Sequence, residues 1–350
     1  MRRVKTALAC WATGRSGGLG AVQQPSVLVS EDAALARQAA SNHLVDDRWL
    51  VLVGGGAPSP DQVAYSGGLA APGEEFILGD SLVLQTQSYG MSHFMSAAGP
   101  TLVRVADEDD LRRFFADADS ARETGQFPSF LLDPMVQLAD QPALGWPADG
   151  DGPSRRLYAA ADGSVSTSPS GSRLGSVSDG PNEISATFAA LSAGSLAGCP
   201  VALGALSLEA QRLAGCATRP WLSDYLRAIS ARQLLATRGF HPDAVAGFGA
   251  SLLTQDAPAR SWRGDEPLVF WEDEQHVVVD PVSARVFTVS QPVAAITEAL
   301  SGRDDADPEL IAELAGIPQG RAFDAVRRVR ELLGGNGLMP AVPHALQARG

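Results

Sequence analysis

Between Pro267 and Val289 the sequence runs "PLVFW", "HVVVD" and "RVFTV", three short stretches rich in β-branched and aromatic residues. The turns between them are the acidic Glu272-Asp273-Glu274 and Asp280-Pro281-Val282-Ser283, where proline presets the φ of the reversal. Parallel strands need a crossover of a dozen or more residues, so these three can only form an antiparallel sheet. The pattern then turns helical. Ser290 is placed to cap a helix over "QPVAAITEALSG", with Pro292 in its first turn and Gly302 at its end. A second helix, "DPELIAELAG", starts at Asp307 with Pro308 at its first position, and a third runs from about Gly320 to Leu333 after "IPQG". An open edge on such a sheet is a liability unless another chain completes it.

In the third helix Ala322, Val326, Val329 and Leu333 recur at i, i+4, i+7 and i+11 and predict its core stripe. Phe323, Arg327 and Arg330 group about a quarter turn away, at about 100° per residue. A ring flanked by two guanidinium groups suits an extended, partly acidic peptide in a groove. Helix geometry alone equally allows a phenylalanine at the core edge with solvated arginines.

Residues 267–340 resemble the PqqD-like winged-helix module known as the RiPP recognition element. The likeness lies in "VVVDPVSARVFTVSQPVAAITEAL", a hairpin with aspartate-proline at its turn and then "VFTVS" running into an alanine-rich helix, and in the spacing of the later helices. In that family the module binds the leader of a ribosomally made precursor peptide, which adds a strand beside the third strand and packs against the third helix. Main-chain hydrogen bonds give such a complex affinity, and alternate side-chain pockets give it selectivity. The resemblance implies a leader running along Arg285, Val286, Phe287, Thr288 and Val289 and facing Phe323, Arg327 and Arg330. A module of this kind behind a large α/β-plus-helical region is similar in layout to the recognition proteins of daptide biosynthetic clusters, whose peptides carry an amine in place of the C-terminal carboxylate. That layout implies a precursor peptide and its modifying enzymes as partners: an oxidative decarboxylase, an aminotransferase and a methyltransferase. This chain would deliver substrate to them and do no chemistry.

Ahead of this module, residues 1–145 alternate strand-like and helix-like segments and predict an α/β domain. "PSVLVS", "RWLVLV" and "TLVRVA" are strands, as is "EFILGDSLVLQTQS", which breaks at Gly79-Asp80, and so is "SFLLD". "EDAALARQAA", opened by Ser30 as N-cap, and "DEDDLRRFFADA" are helices. Residues 146–260 form a loop and hairpin, turning at Asp162-Gly163, and then a helical region that takes in "NEISATFAALSAG", "SLEAQRLAG", "RPWLSDYLRAISARQLLATRG" and "PDAVAGFGASLL". The whole is a multidomain α/β and α+β chain, with the PqqD-like winged helix at 265–340 as a three-stranded antiparallel sheet followed by three helices.

Catalytic signatures are missing. Gly17-Gly18-Leu19-Gly20 and Gly54-Gly55-Gly56 fit neither G-x-G-x-x-G nor a phosphate loop ending in Gly-Lys-Ser/Thr, and the only lysine is Lys5; a turn is expected at the second cluster. His43, His93, His241, His276 and His344 have no His or Cys at metal-ligand spacing, so neither a metal nor a cofactor is expected. Ser92 stands beside His93 in "YGMSHF", but adjacent side chains point apart and the G-x-S-x-G elbow is absent. Asp133 and Asp162 precede Pro134 and Gly163 and are turn formers. Cys10, Cys199 and Cys216 suggest no disulfide framework, and the last two are expected as buried packing residues in a reducing cytoplasm. The apolar stretch before Cys10 is too short for a signal peptide, and no run of roughly 18 apolar residues predicts a membrane span.

The chain carries a net charge of -13, and residues 265–340 hold six arginines against fourteen Asp and Glu, which disfavours a winged-helix DNA-binding regulator. Two expectations stand above it. One is an accessory protein that binds a leader peptide and presents the rest of the precursor to modifying enzymes. The other is a modifying enzyme with a fused recognition module, its active site in residues 1–255, a region larger than a leader groove requires.

Overall fold

The computed structural model describes residues 2–15, 25–80, 82–147, 151–193, 200–206, 209–253, 266–280, 284–301, 303 and 307–334. The chain is a mixed α/β protein, and the strands of the described residues form three sheets. It divides into two compact units. The first takes residues Met1–Asp119 and Phe127–Ile229, and the second takes Ser120–Gln126 and the residues from Ser230 onward.

The first unit begins with α1 (Arg2–Thr13), β1 (Val27–Ser30), α2 (Ala33–Ser41), β2 (Leu50–Val53), β3 (Gln62–Ala64), β4 (Ser66–Gly67), β5 (Glu75–Leu78) and β6 (Leu82–Ser88). It continues through α3 (Tyr89–Ser92), β7 (Thr101–Arg104), α4 (Glu108–Thr124), α5 (Ser129–Leu132), β8 (Val136–Leu138), β9 (Arg156–Ala159), β10 (Ser164–Ser166) and β11 (Gly175–Ser176). The helices α6 (Pro181–Ser192) and α7 (Glu209–Ala217) follow, and α8 (Leu222–Ala236) crosses the division after Ile229, as the end of α4 crosses it after Asp119.

One sheet has the order β11-β10-β9-β1-β2-β3, with β9, β1, β2 and β3 parallel, and the other has the order β4-β5-β6-β7-β8. All four residues of β1 are buried, as expected of a strand covered on both faces. Successive side chains therefore serve different cores. Leu28 packs with the α2 alanines Ala33, Ala36 and Ala39, while Val27 and Val29 pack with Leu8 and Trp11 of α1 and with Phe76 and Leu102 of the second sheet.

The expected boundary near residue 145 is not a break in the fold. β9 pairs with β1 in register Val27↔Arg156 to Ser30↔Ala159, because a buried charge network binds residues on both sides of that point. The Arg156 guanidinium donates to Asp140 at 2.7 Å, to Asp151 at 2.6 and 3.0 Å, and to the Trp11 carbonyl at 3.2 Å. Arg104 reaches the other oxygen of Asp140 at 3.4 Å, together with the Leu69 carbonyl at 2.8 Å and the Ser170 hydroxyl at 3.2 Å. Burial alone would lower the Arg156 pKa, but the carboxylates of Asp151 and Asp140 outweigh it and hold the pKa above its ordinary value. Burial lowers that of Arg104, which has Asp140 in its favour and the charge of Arg156 against it. The expected hairpin at Asp162-Gly163 is present as β9–β10, with Gly163 at φ +80°.

Three local expectations are corrected. The N-cap of α2 is Asp32, whose carboxylate accepts from the Ala34 N–H at 2.6 Å, while Ser30 ends β1. "SFLLD" forms the single turn α5, framed by Pro128 and Pro134, and the strand starts at Val136. "PDAVAGFGASLL" is not helical, because Gly247 (φ +82°) and Gly249 (φ +64°) take the left-handed conformation. It forms β12 (Ala244–Ala246) and β13 (Gly249–Ala250).

Those two strands belong to the second unit and join β14 (Leu268–Glu272), β15 (Gln275–Val279) and β16 (Val286–Val289). The C-terminal sheet thus has the order β13-β12-β14-β15-β16, five strands where three were expected, and residues 146–260 are shared between the two units instead of forming a region of their own. The helices α9 (Gln291–Leu300), α10 (Pro308–Leu314) and α11 (Gln319–Gly334) follow the sheet. They pack on Val269 and Val278 through Ala294, Ile296, Ile311, Leu314, Val326 and Val329. Ser290 holds the N-cap position of α9 without a side-chain bond, whereas the Asp307 carboxylate accepts from the Glu309 N–H at 3.1 Å. Among the described residues, no helix is long and apolar enough to cross a membrane.

Asp140 is the shared acceptor of two buried arginines. Replacing it with alanine leaves both guanidinium groups short of a countercharge and should cost about 3–5 kcal/mol of stability, read as a lower urea midpoint. A loss below about 1 kcal/mol would show that the network contributes little to holding the sheets.

Candidate functional site

β16 is the last strand of its sheet, and its ladder decides what it offers to solvent. It pairs with β15 in register His276↔Val289, Val277↔Thr288, Val278↔Phe287 and Val279↔Val286. Just beyond, the Asp280 N–H donates to the Arg285 carbonyl at 2.9 Å. Opposed residues in an antiparallel ladder alternate between pairs that exchange both bonds and pairs that exchange none. Counting in steps of two from Asp280 and Arg285, Phe287 and Val289 spend their backbone groups on β15. Val286 and Thr288 turn theirs outward. Among the described residues no strand pairs with that side, and Thr288 is exposed. The strand is entered through Ala284 at φ +57°, an uncommon conformation for a residue with a Cβ.

Beside the C-terminal half of β16 lies a cleft of ≈ 850 Å³. Thr288 and Val289 form one wall, Val293 and Ile296 of α9 the floor, Ile317 and Pro318 the approach to α11, and Ala325, Arg328 and Val329 of α11 the other wall. A mostly aliphatic cleft with a few polar groups is the usual form of a binding site, and its volume is within the range for small ligands or a few side chains. What distinguishes it is the adjoining row of unpaired backbone groups. An extended chain could pair with β16 and send every second side chain into the cleft.

The expected residues are placed unequally. Thr288 and Val289 line the cleft, Val286 and Phe287 continue the same strand half-buried, and Arg285 is exposed at its start. On α11, Val326 and Val329 are buried as predicted, while the side chains of Ala322 and Leu333 lie outside the described residues. The face of α11 turned to the cleft is not the expected one. At about 100° per residue, Phe323, Arg327 and Arg330 lie roughly half a turn from Ala325, Arg328 and Val329. Phe323 is 68% exposed, and Arg327 is held by Asp324 at 3.1 Å and Glu331 at 3.4 Å along the helix. The charged residue lining the cleft is Arg328, beside the uncharged polar Thr288 and Gln291, and helical spacing alone does not mark it.

The other candidates resolve as follows. Gly54-Gly55-Gly56 forms a turn. The Gly55 carbonyl accepts from the Ala33 N–H at 2.8 Å, the Asp32 carboxylate fills the N-terminus of α2, and the Tyr65 ring lies 2.8 Å from where a Cβ on Gly54 would be. Gly17-Gly18-Leu19-Gly20, His344 and Cys199 lie outside the described residues. Asp133 accepts from the Met135 N–H at 2.8 Å and Asp162 from the Ser164 N–H at 2.9 Å, both as turn formers. Cys216 is buried, and burial pushes its thiol up to about 11.

Ser92 and His93 face different partners: the Ser92 hydroxyl donates to the Ser88 carbonyl at 2.8 Å, and His93 Nε2 lies 2.9 Å from Asp117. Tyr89 donates to the same Asp117 oxygen at 2.8 Å. This histidine–carboxylate pair was not visible in the sequence, because its members are 24 residues apart. Among the described residues, no group of three or more His, Cys, Asp or Glu could hold a metal ion. No protein-family model, curated protein or solved structure matches the chain.

The cleft wall formed by Leu252 depends on one buried carboxylate. Glu298, in α9, is 6% exposed and accepts from the Leu252 N–H at 2.8 Å and the Ser251 hydroxyl at 2.7 Å. Glu298→Ala strands both donors and should lower the unfolding free energy by about 1–3 kcal/mol while speeding amide exchange at Leu252. Unchanged exchange at Leu252 would show that the wall is held by packing alone.

Proposed function

We propose that this chain captures an extended segment of another polypeptide by strand addition to β16, and that the segment is the leader of a ribosomally made precursor peptide. One observation carries the reading: the outward backbone groups of Val286 and Thr288 adjoin an apolar cleft between β16 and α11. The resemblance of residues 267–340 to the PqqD-like recognition element supplies the identity of the segment. The strand order β14-β15-β16 followed by three helices is compatible with it. In a daptide-type pathway the captured precursor would be presented to an oxidative decarboxylase, an aminotransferase and a methyltransferase.

Strand addition draws its affinity from main-chain hydrogen bonds and its selectivity from side-chain pockets, and here the two lie side by side. The first unit is the part of the chain available for docking those enzymes. A second reading, an enzyme with a fused recognition module, is favoured by the His93–Asp117 pair: an oriented imidazole is half of a nucleophile–base arrangement. Turnover of the precursor by the isolated protein, lost in His93→Ala, would support that reading over the first.

The test of the leading proposal uses Thr288→Pro. Proline removes one outward N–H and no bond to β15, and edge strands tolerate it. The labelled leader of a precursor peptide encoded beside this chain should bind the wild type saturably in fluorescence anisotropy, and at least about tenfold more weakly to Thr288→Pro with unchanged circular dichroism. Equal affinity of the two proteins would overturn strand addition.

A further inference from the structure

Arg328 is the cation of the cleft. The lining around it is largely aliphatic, and among the described residues it has no hydrogen-bond or ion-pair partner. Its neighbour Arg327, by contrast, is held by two carboxylates of its own helix. Acidic residues outnumber arginines by fourteen to six over residues 265–340, so an arginine left without a carboxylate is conspicuous.

We propose that the segment bound along β16 is read by charge, through an aspartate or glutamate whose carboxylate meets the Arg328 guanidinium, with an apolar side chain two residues away entering the cleft. This rests on the strand-addition reading and says what the added strand must carry. Side chains of an added strand alternate with period two, so those facing the helices share one parity. Ala325, Arg328 and Val329 lie on one face of α11, which requires the acidic and the apolar residue to share that parity.

The chemistry favours a carboxylate. A guanidinium offers a planar fork that two carboxylate oxygens match, while its aliphatic stem covers apolar surface. The same group selects against basic segments, because a lysine or arginine at that position would bring like charges together without a carboxylate between them.

The experiment selects peptides from a display library of random linear sequences on the wild type, on Arg328→Glu and on Thr288→Pro. The wild type is expected to enrich Asp or Glu at one position, two residues from an apolar one. Arg328→Glu is expected to enrich Arg or Lys there with the apolar position unchanged, and to bind the acidic peptides on the order of tenfold more weakly. Enrichment of the same residues at every position by wild type and Arg328→Glu overturns the charge reading; strand addition survives that result if Thr288→Pro has lost capture. No enrichment by the wild type, or equal enrichment by Thr288→Pro, removes strand addition and the charge reading with it.

Discussion

An antiparallel ladder satisfies only half of the backbone groups of its last strand, and the second unit of this protein depends on which half. The bond from Asp280 to Arg285 sets the phase of the β15–β16 pairing, and through it the outward aim of Val286 and Thr288. A shift of one residue would exchange the roles of Phe287 and Thr288, sending a phenylalanine's backbone to solvent and a threonine side chain toward the helix layer. Partly buried Phe287 and Val289, packed against the core formed with α9 to α11, hold the register against that shift. Core packing and the presentation of free donors are therefore one constraint.

The first unit shows a different economy of polar groups. Two of its buried arginines, Arg104 and Arg156, are matched by the buried Asp140 and Asp151, and their remaining donors end on the Trp11 and Leu69 carbonyls and the Ser170 hydroxyl. Buried ion pairs are retained only where geometry and extra hydrogen bonds offset desolvation, and here they bind strands of two sheets to a loop. Among the described residues, the second unit leaves Arg328 without a carboxylate at its cleft. The contrast separates charges that hold the fold from the charge proposed to meet a ligand.

Much of this was legible in the sequence where one local signal dominated. The strands β14 to β16, the break at Gly79-Asp80, the hairpin at Asp162-Gly163 and the proline-led start of α10 each rest on a turn residue or a clear period. The failures have physical causes. In "PDAVAGFGASLL" apolar spacing suggested a helix, but two glycines in the left-handed region and the open edge of β14 made strands. The pairing of Val27 with Arg156 joins distant parts of the chain, and the bonds of Asp140 to Arg104 and Arg156 cross 36 and 16 residues, separations that periodicity does not report. On α11 the core stripe at Val326 and Val329 has two flanks. One carries Phe323, Arg327 and Arg330, the other Ala325 and Arg328, and only the tertiary fold determines which flank meets the cleft.

Residue-resolved amide hydrogen exchange along β16, with and without a bound leader peptide, tests directly whether this edge is open. In the free protein Val286 and Thr288 should exchange rapidly beside slow Phe287 and Val289, and bound peptide should protect Val286 and Thr288. Slow exchange at Val286 and Thr288 in the free protein, or no added protection at saturating peptide, would contradict an open edge completed by another chain.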